Sequence, residues 1–322
     1  MKSLLRGLAV AVLALFALFF AGPRPVVDTH LKPLALPADL DAYLAQSEAR
    51  FTDLTPSTQK GIVWAHADQR RTPLALVYLH GYSATRRETA PLADHLAAQL
   101  GANLFYTRLT GHGRGGAALG EASINDWLND AHEALAIGRR LGEKVLVIGT
   151  STGGTLATWL ALQPAQQADP TVLGYVLISP NFGPRDHRSV MLTWPWGAQI
   201  ARAIVGQEFV WPDLNADHAR YWTHRHPSKA LVPMMGLVVH VRDADLARFT
   251  QPVQVIYSPD DRVVDAQETE RQFVRFGSSR KSLVALKPDT SLNHHVLAGD
   301  IVAPGNTARV EQLILDFIAT LR

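Results

Sequence analysis

Ser151 sits in the middle of Gly149-Thr150-Ser151-Thr152-Gly153, directly after the apolar run Val145-Leu146-Val147-Ile148 and directly before a stretch with helical spacing. A serine at the apex of a strand-to-helix turn adopts a strained backbone. Residues two positions to either side must then be small, which Gly149 and Gly153 satisfy. The following helix N-terminus adds partial positive charge where an oxyanion would develop. The chemistry this suggests is nucleophilic catalysis. A serine hydroxyl at its free pKa is a poor nucleophile, so a histidine must take its proton and a carboxylate must fix that histidine's tautomer. Later in the chain, Asp260, Asp261 and Asp265 follow one apolar run, and His294 and His295 follow another. The competing reading of the glycines, a phosphate-cradling loop, lacks both a G-K-[S/T] and a G-x-G-x-x-G opening a helix.

These residues need a frame, and the chain supplies one by alternation. Leu74 to Leu79, Asn103 to Thr107, Lys144 to Ile148, Val172 to Ile178, Val253 to Tyr257 and Ser282 to Leu286 read as strands. Glu88 to Leu100, Ile124 to Leu141, Gly154 to Leu162, Ala266 to Phe276 and Thr307 to Leu321 carry apolar residues at helical spacing. Continuous apolar strands alternating with helices predict an α/β fold with a mostly parallel central sheet covered on both faces. Residues 184–250 break the rhythm with Trp194, Trp196, Trp211, Trp222 and several prolines, and no strand is evident there. That stretch reads as a helical cap insertion above the carboxyl ends of the strands, where open α/β sheets bind ligands. The expected division is 1–22 as signal or anchor, 23–60 as a lead segment, 61–183 and 251–322 as core, and 184–250 as cap.

The landmarks resemble the α/β-hydrolase superfamily. Strand Leu74 to Leu79 ends in His80-Gly81-Tyr82, Arg108 to Gly113 looks like that superfamily's Gly-His-Gly turn, and the serine, acid and histidine loops follow in its order. The resemblance implies a triad of Ser151, Asp261 and His295, with the backbone N–H groups of Tyr82 and Thr152 as oxyanion hole. Asp261 fits the family's acid loop, with Asp260 and Asp265 as rivals, and His295-Val296-Leu297 fits its histidine loop, with His294 as neighbour. His80 and His112 are expected to hold loops rather than carry protons. The similarity runs over roughly residues 61 to 322 outside the insertion. It is nearest to monoglyceride lipases, lysophospholipases and carboxylesterases, and implies cleavage of a carboxylic ester through an acyl-serine intermediate. A peptidase of the proline iminopeptidase type, an amidase, or a non-catalytic binding descendant would use the same frame.

Composition bounds the remaining classes. The 322 residues are 47% hydrophobic, enough for a large core, and 31 Lys plus Arg against 29 Asp plus Glu leave a formal charge of +2 without a basic run, so nucleic acid is not an expected partner. No cysteine is present, which removes disulfides, thiolate nucleophiles and thiolate metal sites. No cofactor or metal is expected: the paired His294 and His295 lack a third ligand at a recognisable spacing, and His224-Arg225-His226 reads as surface chemistry. Lys2 and Arg6 precede an apolar run from Gly7 to Ala21. With Leu4 and Leu5 it reaches spanning length, and no clear small-x-small cleavage site precedes Gly22-Pro23, which favours an uncleaved anchor over an export signal. The basic start predicts that the remainder lies on the non-cytoplasmic side. A small-molecule or lipid ester is the expected partner, with Trp194, Trp196, Trp211, Met191, Met234 and Met235 as candidate walls of an acyl pocket.

Overall fold

The computed structural model describes the chain except residues 1, 168, 288–290, 292 and 322. Among the described residues nine strands are formed: β1 (Gly61–Val63), β2 (Thr72–Leu79), β3 (Asn103–Tyr106), β4 (Gly142–Thr150), β5 (Val172–Ile178), β6 (Glu208–Val210), β7 (Arg225–Pro227), β8 (Val253–Tyr257) and β9 (Lys281–Ala285). Seven make one sheet in the order β1-β3-β2-β4-β5-β8-β9, while β6 and β7 pair apart as an antiparallel ribbon. All neighbours in the large sheet are parallel except β1, which runs antiparallel to β3 along the edge.

Strand alternation explains why these runs are apolar throughout. Ala75, Val77 and Leu79 of β2 point into one core, and Leu74, Leu76 and Tyr78 into the other. Strands β4 and β5 divide the same way, Val145, Val147, Tyr175 and Leu177 against Leu146, Ile148, Val176 and Ile178. With helices on both faces, a strand has no solvent side to make polar. Helices Ile124–Leu141, Thr152–Leu162 and Leu231–Arg242 fill the first core. Helices Leu92–Leu100 and Thr307–Leu321 fill the second.

Three departures from the expected elements have local causes. The helix expected from Glu88 begins only at Leu92, because the residue before Pro91 is pushed out of the α region and the helix must start beyond it. The strands β1, β6 and β7, each three residues long, are too short for alternation to register. The stretch read as strand-free therefore contains β6 and β7. Helix Leu231–Arg242, at the end of that stretch, packs its Met235, Leu237, Val238 and Val241 into the main core.

The order of strands sets the site. The chain steps from β2 to β3 in one direction and returns to place β4 on the other side of β2. Crossovers thus leave β2 and β4 to opposite sides, opening a crevice at their carboxyl ends, the position at which open α/β sheets bind ligands. The two turns at that crevice are His80-Gly81-Tyr82 and Thr150-Ser151-Thr152.

Candidate active site

Ser151 has φ +53° and ψ −118°, a conformation a non-glycine residue adopts only when its surroundings impose it. Its N–H donates to Ile178 O at 2.9 Å, and its carbonyl accepts from Asn181 N–H at 3.0 Å and Gly154 N–H at 2.9 Å. The bend brings backbone against backbone: a Cβ on Gly149 would lie 2.4 Å from Gly153 O, and one on Gly153 would lie 2.0 Å from Leu79 O. Neither position has room for a side chain. Thr152 opens helix Thr152–Leu162, so its N–H has no intrahelical acceptor.

Asp261 and His295 come together from loops after β8 and β9. His295 Nδ1–H donates to Asp261 Oδ2 at 2.8 Å, and Asp261 Oδ1 accepts from the Val263 and Val264 N–H groups at 2.7 and 2.9 Å. Both residues are buried. Burial by itself would lower the His295 pKa, but the Asp261 carboxylate, by charge and hydrogen bond, holds it above its ordinary value. Asp260 is exposed, and Asp265 caps the helix Ala266–Arg275 by accepting from Gln267 N–H at 2.9 Å. His294 has φ +51° and donates its N–H to Ser291 O. Ser151 and His295 line one cavity together with Gly81 and Tyr82. Their side chains make no direct hydrogen bond among the described residues; catalytic contacts of this kind are commonly long without substrate.

The histidines of the two glycine turns are consumed by backbone. His80 donates from Nδ1 to Gly81 O at 2.9 Å and accepts at Nε2 from Leu109 N–H at 3.0 Å. His112 donates from Nδ1 to Thr110 O at 3.2 Å and accepts at Nε2 from Ser83 N–H at 3.1 Å. Each is fully buried, and burial lowers the His80 pKa to about 4. Neutral and doubly bonded, neither has a nitrogen left for proton transfer. Tyr82 is clasped edge-on by His112, Trp127 and His226 at centroid distances of 6.0, 6.1 and 5.4 Å, which fixes its backbone.

Two groups escaped the sequence reading. Glu88 is 2% exposed and lines the cavity; its Oε1 accepts from Gly81 N–H at 2.7 Å and Tyr78 O–H at 2.9 Å. Burial pushes its pKa up to about 8, against the effect of those two hydrogen bonds. In sequence it is one charged residue at the start of an amphipathic stretch, and only its closeness to His80-Gly81 hinted at a role. The other is His226, read as surface, which is fully buried between Tyr82 and Phe209 because β7 carries it inward. His224 is half-buried too: its Nδ1 lies 2.7 Å from Asp213 Oδ1, its Nε2–H donates to His218 O at 2.7 Å, and one ligand atom from each of Asp213, His218 and His224 falls within 4.8 Å of the others. These are donors of the kind a divalent cation accepts, and His218 and His224 also line the cavity.

The cavity has a volume of about 500 Å³. Its walls include Met191, Ile200, Phe209, Trp211, Leu231 and Met234. Of the expected pocket residues, Met191, Met234 and Trp211 are there. Met235 is turned into the core, and Trp194 and Trp196 lie outside the cavity.

A mostly parallel sheet of this order, a strained serine between strand and helix, and a histidine loop after the last strand define an α/β hydrolase. The chain belongs to the family described as serine aminopeptidase, S33, whose match spans residues 71–288. It is 24% identical over 234 residues to the thermostable monoacylglycerol lipase of Bacillus sp. (strain H-257), covering 72% of this chain and 86% of that protein. Among solved structures, it is similar to that reported for the metagenome-derived lipolytic enzymes LipS and LipT, with a TM-score of 0.68, 20% identity, and coverage of 83% of this chain and 99% of that one. It is also similar to a soluble variant of monoglyceride lipase from Saccharomyces cerevisiae, with a TM-score of 0.62, 14% identity, and 82% and 91% coverage. The chain is thus a hydrolase of the lipase and esterase type.

Proposed function

We propose that the protein is a serine hydrolase of carboxylic esters with medium or long acyl chains, monoacylglycerols and lysophospholipids among them. One observation carries the reading: Ser151, held at φ +53°, shares a largely apolar cavity with a buried His295 whose Nδ1–H is fixed on Asp261 at 2.8 Å. With Nδ1 committed, the Nε2 lone pair is the basic end of the ring. Ser151 Oγ attacks the ester carbonyl as His295 takes its proton. The tetrahedral oxyanion accepts hydrogen bonds from the Tyr82 and Thr152 N–H groups, neither of which donates to a protein acceptor among the described residues. His295 then protonates the leaving alcohol. Water, deprotonated by His295, cleaves the acyl-serine and restores the enzyme. The mechanism calls on no cofactor.

The apolar walls support an acyl group as the part of the substrate that is bound, and the similarity to a monoacylglycerol lipase points the same way. In this reading residues 184–250 act as the cap that closes over the acyl chain. Residues 1–22 serve as anchor, with Lys2 and Arg6 on the cytoplasmic side. The family's description as serine aminopeptidase names the rival substrate class. Rates on nitrophenyl esters and on aminoacyl nitroanilides, measured side by side, separate the two. The expected result is ester turnover at least about 100-fold faster, a gap of about 3 kcal/mol in transition-state binding; faster aminoacyl cleavage would overturn the ester reading.

A further inference from the structure

The helix Lys2–Phe20 has no buried residue, and its 19 residues span about 28 Å, close to the roughly 30 Å hydrocarbon layer of a bilayer. It is not loosely tethered. The Trp196 indole N–H donates to the carbonyls of Leu18 at 3.2 Å and Phe19 at 3.1 Å, and Trp196 N–H donates to Pro23 O at 2.8 Å. The indole lies so close over the chain that a Cβ on Gly22 would fall 2.2 Å from its Nε1. Beyond the clamp, the lead segment is pinned to helix Ile124–Leu141. Asn125 Nδ2–H donates to Asp28 O at 3.1 Å and His30 O at 2.7 Å, and Asn129 Oδ1 accepts from Lys32 N–H at 2.8 Å.

Trp196 is also the N-cap of helix Gly197–Val205, which borders the cavity. At the far end of that helix, Ile204 and Val205 line the cavity and yet are 50% and 39% exposed, so they stand at its mouth. Trp194, beside the clamp, is 44% exposed. Arg24 and Arg202 are exposed on the same two clamped segments, with no carboxylate paired to either among the described residues. Nine residues of helix cover about 13 Å, so Ile204 and Val205 at the mouth lie within about that distance of the clamp, roughly twice the depth of one headgroup layer. Indoles at the exit of a spanning helix, apolar side chains at the mouth and flanking arginines are the chemistry of a membrane interface.

We infer that the face formed by Trp194, Trp196, Ile204 and Val205 docks on the lipid bilayer, with the Trp196 clamp holding the cavity mouth against the membrane that the N-terminal helix enters. That the mouth admits a membrane-borne ester rests on the hydrolase reading above; the docking itself does not.

The chain has no cysteine, so single cysteines report without background. Trp194→Cys, Ile204→Cys and, as control, Val274→Cys, which is 75% exposed on helix Ala266–Arg275, are each labelled with an environment-sensitive fluorophore. Each full-length protein is then reconstituted into phosphatidylcholine and phosphatidylglycerol vesicles. The expected result is that lipids spin-labelled near the headgroup quench positions 194 and 204 at least about twofold more than position 274. Equal quenching at all three positions would overturn the docking. So would shielding of 194 and 204 without lipid quenching, which would mean that a second copy of the chain covers them. Trp196→Ala, and Trp196→Phe, which keeps a ring but removes the indole N–H that reaches Leu18 and Phe19, are expected to bring 194 and 204 down to the control while the protein still sediments with vesicles. Undiminished quenching in both would overturn the clamp. None of these readouts needs turnover, so loss of esterase activity alone leaves the docking standing and counts against the ester reading only.

Discussion

The imidazole of His295 is fixed by one carboxylate oxygen while the other oxygen of Asp261 is held by two backbone N–H groups. Asp261→Asn keeps the shape but favours the wrong tautomer, and kcat is expected to fall about 10³- to 10⁴-fold. Asp260→Asn, on an exposed side chain, is expected to leave steady-state rates within about twofold. The base must be neutral to act, so kcat/KM rises with pH through the His295 pKa. Because that pKa is held above its ordinary value of 6.5, the acid limb of the profile is expected above pH 6.5, and at lower pH in Asp261→Asn. Glu88 provides a separate titration. Its folded-state pKa is raised from 4.5 to about 8. Its contribution to stability is therefore full below pH 4.5 and is lost as pH rises through about 8. Glu88→Gln removes that dependence, so the melting temperature of the variant is expected to gain on that of the parent as pH is raised across this window, followed by circular dichroism.

At the scale of elements, the turn at Ser151 and the lead helix make distinct contributions. Gly153→Ala would set a methyl group 2.0 Å from Leu79 O. The backbone of β2 cannot give way, so a loss of about 1–3 kcal/mol in denaturant unfolding is expected, with activity falling further as the serine is displaced. Helix Leu40–Glu48 ends in a buried carboxylate that receives the Arg108 guanidinium through two bonds of 2.7 Å. Arg108 in turn donates to His112 O. Glu48→Ala strands the arginine and is expected to cost about 3–5 kcal/mol, although the lead segment carried no chemistry in the sequence. What was legible there follows from periodicity. Strands β5 and β8 and the helices Ile124–Leu141 and Thr307–Leu321 were readable to the residue, because apolar runs and helical faces mark them directly. Ser151 stood out because its glycines are required by local geometry. The inward turn of His226, the Glu48–Arg108 pair and the place of Glu88 beside Gly81 depend on contacts between distant segments, which no local pattern encodes.

At the scale of the molecule, two apolar cores on either side of one sheet leave the crevice between β2 and β4 open, and three loops from separate parts of the chain deliver Ser151, Asp261 and His295 to it. Most of the cavity's lining comes from the stretch between β5 and β8, and the rest from the segments that carry Gly81, Ser151, Val263 and His295. The proposed role of Ser151 is that of the nucleophile of an ester hydrolase. It is tested most directly by labelling the full-length protein with a fluorophosphonate, locating the adduct by mass spectrometry, and measuring hydrolysis of a monoacylglycerol by the parent and by Ser151→Ala. A single adduct on Ser151 and a loss of kcat of about 10⁶-fold in the variant are expected. An adduct elsewhere, or a Ser151→Ala protein that turns over the ester at the parent's rate, would contradict it.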